Sequence, residues 1–374
     1  MNGQAERNIG RGHIHRPGDR KPSGGARVLF AVGVGLSALL VGCGAPSTAS
    51  SASSAGEVSE ALTFTAWGGT TQEAAQKAWT DPYAAETGLT VTQAGPTDYG
   101  KLQTMVEAGD PSWSVVDVEG YFVPKAAELG LLEKLDYTII PESEIFPEWV
   151  HPYGVGDFAY SFVISYRTDT NDGKHPTDWA GFFDTETYPG KRGFYKYAYS
   201  GIFEAALLAD GVPADQLYPL DFDRAFAKLD TIKDDIVWWN TGAESQLQLQ
   251  NGTVAYSSMW NGRVYSLISE GVPVEMEWNQ NLQAADYLVI PKGASPKGND
   301  LIAYALSAEP QAEFADLTSL APVNKGAVDM VDEKVRPYLS TTPEHREQGI
   351  AIDDVFWSTA IDDVQERWQS WLVG

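Results

Sequence analysis

Cysteine is almost missing from this chain: Cys43 is the only one in 374 residues. An internal disulfide is therefore excluded, and the fold must rest on a hydrophobic core alone. Long apolar runs are equally scarce. The one clear case, residues 28–42, has 15 residues, too few for a bilayer-spanning helix, which needs about 20. Cations are also in short supply, with 26 Lys and Arg against 51 Asp and Glu, a net charge of −25. Such a surface repels nucleic acid and anionic lipid and favours cationic partners. Of five histidines, His13 and His15 lie in the basic leader and His151, His175 and His345 are scattered singly, and none has zinc-ligand spacing. No P-loop and no G-x-S-x-G elbow is present. The "DTNDG" run at 169–173 fails the EF-hand pattern, because Trp179 falls where its last ligand should be. No cofactor or metal site is expected.

What is present divides the chain. Residues 1–27 are polar and basic, carrying Arg7, Arg11, Arg16, Arg20, Lys21 and Arg27. With the apolar run that follows, they have the layout of a secretory signal peptide. Leu40-Val41-Gly42-Cys43 resembles the lipobox of bacterial lipoproteins, in which the cysteine is acylated and becomes the mature N-terminus. Two acyl chains would anchor the chain stably to a membrane. Ser, Ala, Thr and Gly then dominate residues 44–57, a composition that suits a flexible tether. We therefore expect a signal peptide at 1–42, a lipidated tether at 43–60 and a folded region from Ala61.

From Ala61 the pattern alternates short apolar runs with helical periodicity, which predicts α/β architecture. "LTFTAW" (62–67), "LTVTQAG" (89–95) and "WSVVDVEG" (113–120) read as strands, each followed by a helical segment. Thr70 and Glu73 have capping-box spacing, and Gly88 is a helix stop. This βαβαβα start implies a parallel sheet. Further helices are predicted around 194–211, through "IFEAALLADG", and at 221–232 and 261–271, with strands at 254–260 and 285–293, and the tail from 309 reads as mostly helical.

Trp67, Glu119 and Trp260 each fall at the C-terminal end of a predicted strand, just before a helix. Open α/β sheets bind ligands outside the carboxyl ends of their strands. Polar and aromatic residues there, drawn from both halves of the chain, suggest a site shared by two lobes. Aromatic faces beside Glu119 and Asp286 suit an organic cation, while aromatic faces alone would equally suit sugar rings. Arg263, three residues after Trp260, could hold a carboxylate.

Taken together, the lipobox, the tether, the "AWGG…ETGLTV" opening, "WSVVDVEGYFVPKAAELGLLEKLDY" (113–137), "MWNGRVYSLISEGVPVEMEWNQ" (259–280) and "ERWQSWL" (366–372) resemble the extracellular solute-binding proteins of ABC importers, in their spermidine/putrescine-binding branch. The resemblance implies a two-lobed periplasmic-binding-protein fold of type II. In it each lobe is a mixed sheet flanked by helices, and crossing hinge segments join the lobes, here as 61–163 with 283–323 and 164–282 with 324–374. It implies ligand contacts from Trp67 and Gly68 after the first strand, from Tyr121 facing the amine, and from Glu119 in place of a small hydroxyl residue. Trp260 and Asn261 of the "WNG" motif, and Asp286 as partner of an amine, complete that set. The chain departs from the branch at Tyr199-Ser200-Gly201, where a pair of acids is expected, and at Ala284 and Leu320, where aromatics are expected.

The resulting expectation is a lipid-anchored, exported and monomeric receptor that is not an enzyme. It captures a small cation such as putrescine or spermidine, or a zwitterion such as 4-aminobutyrate with Arg263 or Arg192 on its carboxylate, and delivers it to a permease. A secreted carbohydrate-active hydrolase and a ligand-presenting partner of a sensor kinase are the competing readings.

Overall fold

The computed structural model describes residues 61–374; the expected signal peptide, the tether and Cys43 lie outside the described residues. Eleven strands form one mixed sheet: β1 (Ala61–Thr65), β2 (Thr90–Ala94), β3 (Val115–Glu119), β4 (Val150–His151), β5 (Gly154–Arg167), β6 (Arg192–Tyr195), β7 (Ile236–Trp239), β8 (Tyr256–Trp260), β9 (Val274–Val289), β10 (Ala321–Pro322) and β11 (Ile350–Ala351). The main order is β2-β1-β3-β9-β5-β8-β6-β7. At one end β1 pairs in parallel with both β2 and β3, and at the other β6 pairs in parallel with both β7 and β8. Parallel neighbours require helical crossovers, and helices do separate β1, β2 and β3.

The two parallel ends meet through β5 and β9, long antiparallel strands that serve both halves of the sheet. The end of β9, from Asp286 to Val289, pairs with β3, while the end of β5, from Phe162 to Tyr166, pairs with β8. At the start of that β5 stretch the β5–β9 register jumps: Phe162 faces Leu282, yet Ile164 faces Glu277. The extra β9 residues loop out through Gln280, whose φ is 58°, so the ladder bends where the halves join.

Local chemistry explains the element ends. Asp98 and Asp221 cap the helices Tyr99–Glu107 and Phe222–Asp230 by accepting from Lys101 N and Arg224 N. Gly88 ends a helix in the left-handed conformation, as expected. The Thr70–Glu73 capping box does not form: Gly68 and Gly69 both have positive φ, so the helix Gly69–Ala75 starts ahead of Thr70. The tail from 309 is mostly helical, as expected. Helices Ala308–Thr318, Pro343–Glu347 and Asp354–Val373 make up most of it, and the short turns and bridging strands between the first two carry Pro322 and Pro337, which a helix interior tolerates poorly.

Aromatic packing fills the core on both sides. Trp79 packs on Phe314 at 4.3 Å near β1, and Phe203 meets Phe226 at 5.0 Å and Trp368 at 5.6 Å in the other half. The last helix touches both halves, pairing Lys125 with Asp362 at 2.6 Å and packing Trp368 on Trp238.

Candidate functional site

A cavity of about 620 Å³ opens between the two halves of the sheet. Its first wall follows from strand periodicity. Asp117 and Glu119 are two residues apart on β3 and so share one face. Asp286 sits opposite Glu119 on the antiparallel neighbour β9, which brings a third carboxyl to that face. The Gly68–Gly69 turn projects Trp67 from the end of β1, leaving it 40% exposed, with its ring edge-on to Tyr99 at 5.9 Å.

This wall is short of positive charge. Asp117 and Asp157 are buried, and Asp117 Oδ1 and Asp157 Oδ2 have no hydrogen-bond partner among the described residues. Burial, reinforced by Asp157, holds Asp117 well above the usual carboxylate range. Burial and Asp286 do the same to Asp157, and burial with Asp117 and Glu119 nearby does so to Asp286. The Trp67 indole opposes the rise at Asp117 and Asp286 by hydrogen bonding. Glu119 is pushed up to about 7 by burial, although hydroxyls of Tyr99, Tyr197 and Tyr121 favour its charged form.

The second wall comes from β6 and β8. Trp260 ends β8, and Arg263 lies within the first turn of the helix Asn261–Ser269 that follows. Tyr195 stacks on Trp239 at 4.6 Å and meets the Trp260 edge at 5.3 Å, so three aromatic rings form one corner. Arg263 lines the cavity and makes no ion pair among the described residues. Burial alone draws its guanidinium below its ordinary value. Phe158, Tyr160 and Phe162 alternate along β5 and form the floor.

Tyrosines stitch the walls together. Tyr197, just beyond β6, donates to Glu119 Oε2 at 3.3 Å and lies 3.0 Å from the Tyr121 hydroxyl. Tyr199 donates to Asp354 Oδ1 at 2.5 Å. Burial raises Asp354 to about 7, and its carboxyl packs on the bare α-carbon of Gly120, where a Cβ would come within 2.2 Å.

Of the residues singled out in the sequence, Trp67, Gly68, Glu119, Trp260, Arg263 and Asp286 come together around the cavity. Tyr121 and Asn261 do not. Tyr121 is buried a layer behind, with its ring edge-on to Tyr99 and Tyr199. Asn261 is fully buried where the halves join: it accepts from Ser161 N at 2.9 Å and donates to Tyr338 O at 2.9 Å. Arg192, the other expected cation, is also buried away from the cavity, its guanidinium donating to the carbonyls of Phe182 and Tyr188. The sequence reading missed Asp117, Phe158, Tyr160, Phe162 and Tyr195. The β5 trio carries its own signal, since "FAYSF" alternates aromatic and small residues with the period of a strand.

The chain is similar to known proteins along most of the described residues. Residues 78–340 match the family model described as bacterial extracellular solute-binding protein. A gamma-aminobutyric acid-binding protein of Pseudomonas aeruginosa is 33% identical over 322 residues, covering 84% of this chain and 91% of the relative. A spermidine/putrescine-binding periplasmic protein of Haemophilus influenzae is 28% identical over 60% of this chain and 66% of its own. Among solved structures, the Atu4243 GABA receptor overlays with a TM-score of 0.81 and 48% identity, covering 84% of this chain and 98% of that one. ABC transporter substrate-binding proteins of known structure share the two-lobed fold. The chain belongs to the bacterial extracellular solute-binding proteins and is the substrate-binding component of an ABC transporter, an exported protein that delivers a small ligand to a permease.

Proposed function

We propose that the ligand is a short ω-amino acid, 4-aminobutyrate or a close analogue, with its ammonium on the carboxyl wall and its carboxylate on Arg263. The observation that carries this reading is the pairing of opposite deficits. Among the described residues Asp117, Asp286 and Glu119 lack a cation and Arg263 lacks an anion, and both groups line one cavity. A buried charge without a partner is costly, and a zwitterion supplies both partners at once. The relatives named for gamma-aminobutyric acid support the same choice. Side-by-side carboxyls on one wall, facing an arginine, do not resemble the flanking pair of a glycosidase.

The same proposal takes the lobes as 61–163 with 283–323 and 164–282 with 324–374. The register break between Phe162 and Ile164 supports that division. Acylation at Cys43 would hold a monomeric receptor at the outer face of the cytoplasmic membrane, with the Ser/Ala-rich segment as its tether. A diamine such as putrescine is the second reading, favoured by the excess of acids over the single arginine in the cavity wall and by the polyamine-binding relative.

Tryptophan fluorescence separates the two readings, because Trp67 and Trp260 both line the cavity. Titration with 4-aminobutyrate, putrescine and spermidine in parallel should saturate at the lowest concentration with 4-aminobutyrate. Tighter binding of either polyamine would overturn the assignment.

A further inference from the structure

We infer that Gly242 is a specificity-determining positioning residue: the space left by its missing side chain seats the Arg263 guanidinium and fixes the direction of its donors. The inference rests on the reading of Arg263 as the carboxylate partner. A Cβ at Gly242 would lie 2.5 Å from Arg263 Nε, 3.0 Å from Cζ and 3.1 Å from Cδ. No arrangement of ordinary contacts accommodates that overlap, so any side chain at 242 moves the guanidinium.

The backbone itself does not call for glycine here. Gly242 is absent from the positive-φ positions and is the first residue of the helix Gly242–Gln250, capped by Thr241, which accepts from Glu244 N at 3.2 Å. Alanine is the better helix former at such a place. The glycine therefore supplies room rather than conformation. The two helices are also tied, since Gln246 Nε2 donates to Arg263 O at 3.2 Å. That bond fixes the base of the arginine, and the seat on Gly242 fixes the far end of its side chain. The guanidinium also lies beside the first turn of a helix, the end at which the helix dipole disfavours a cation. A carboxylate ligand relieves that cost.

The consequence concerns selectivity. A guanidinium recognises a carboxylate through a rigid planar fork, and its affinity depends on orientation. A shift at Nε and Cζ reorients the fork without touching the carboxyl wall. Gly242 is not part of the cavity wall, so ligands without a carboxylate should not register the change.

The test is calorimetric titration of the whole protein and of G242A, R263Q and the double variant with 4-aminobutyrate and putrescine, alongside thermal melts. We expect G242A to melt no lower than wild type, to bind 4-aminobutyrate about tenfold more weakly and to bind putrescine within about twofold. The double variant should bind no more weakly than R263Q alone, because the two changes act through one group. If G242A binds 4-aminobutyrate as wild type does while R263Q loses it, the inference fails and the ligand reading stands. If R263Q keeps 4-aminobutyrate, the ligand reading itself fails. Should G242A melt low, R263Q in the same chain must restore the melt; a deficit that persists places the clash elsewhere and overturns the inference.

Discussion

The two walls of the cavity are opposites in charge and in construction. The wall built from β1, β3 and β9 gathers Asp117, Glu119 and Asp286 in neighbouring strand positions, with Asp157 behind them. The wall built from β6 and β8 offers one cation, Arg263, on a helix, framed by Tyr195 and Trp260. Neither wall neutralises itself. A protein selected only for stability would pair or remove such groups, and the proposed zwitterionic ligand gives a reason to keep both. The carboxyl wall is held by sheet register and cannot shift far. The arginine is held by side-chain packing, which makes it the adjustable half.

Several changes would break or sharpen this contrast. The largest effect is expected from R263Q, which should weaken 4-aminobutyrate by about 100-fold or more. It should leave putrescine unharmed or tighter, since a repelling cation has gone; calorimetry with both ligands reads this directly. Next comes the joint between the walls. N261A leaves buried Ser161 N and half-buried Tyr338 O without their partner, and chemical denaturation should show a stability loss of about 2 kcal/mol.

D286N acts on the opposite wall. It should weaken every amine ligand, by about 30-fold, and raise the melting temperature of the ligand-free protein at neutral pH. The sign follows from linkage. The folded-state value of Asp286 lies above its ordinary one, so its ionisation costs stability as pH rises beyond the carboxylate range, and asparagine carries no such cost.

The mildest expected effect is that of pH. Glu119 and Asp354 sit at about 7 in the folded protein, above their unfolded values. The stability they contribute is complete in acid and is lost as pH rises through about 7. Amine binding favours ionised Glu119, so affinity should rise between pH 6 and pH 8 by no more than about tenfold. A fall in amine affinity over that range would contradict the account.

Much of the cavity lining was legible in the sequence, for identifiable reasons. Trp67, Glu119 and Trp260 stood out because strand ends followed by helices place residues at the crevice of an α/β sheet, and β1, β3 and β8 do end there. Asn261 and Tyr121 share that position along the chain but point elsewhere, a distinction made by three-dimensional packing. Asp117, inside "VVDVE", looks like an interruption of a core strand until β9 brings Asp286 to the same face. The long strands β5 and β9 were harder to read. The glycines of β5 and the polar "EWNQN" of β9 blur the period of two, although those strands join the halves.

The most direct test dissects the ligand rather than the protein. Titrating the receptor with 4-aminobutyrate, n-butylamine and butyrate asks whether both walls contribute to one binding event. If they do, 4-aminobutyrate binds at least about 100-fold more tightly than either half-ligand. Butylamine binding as tightly as 4-aminobutyrate would show that Arg263 takes no part, and the central claim would fall.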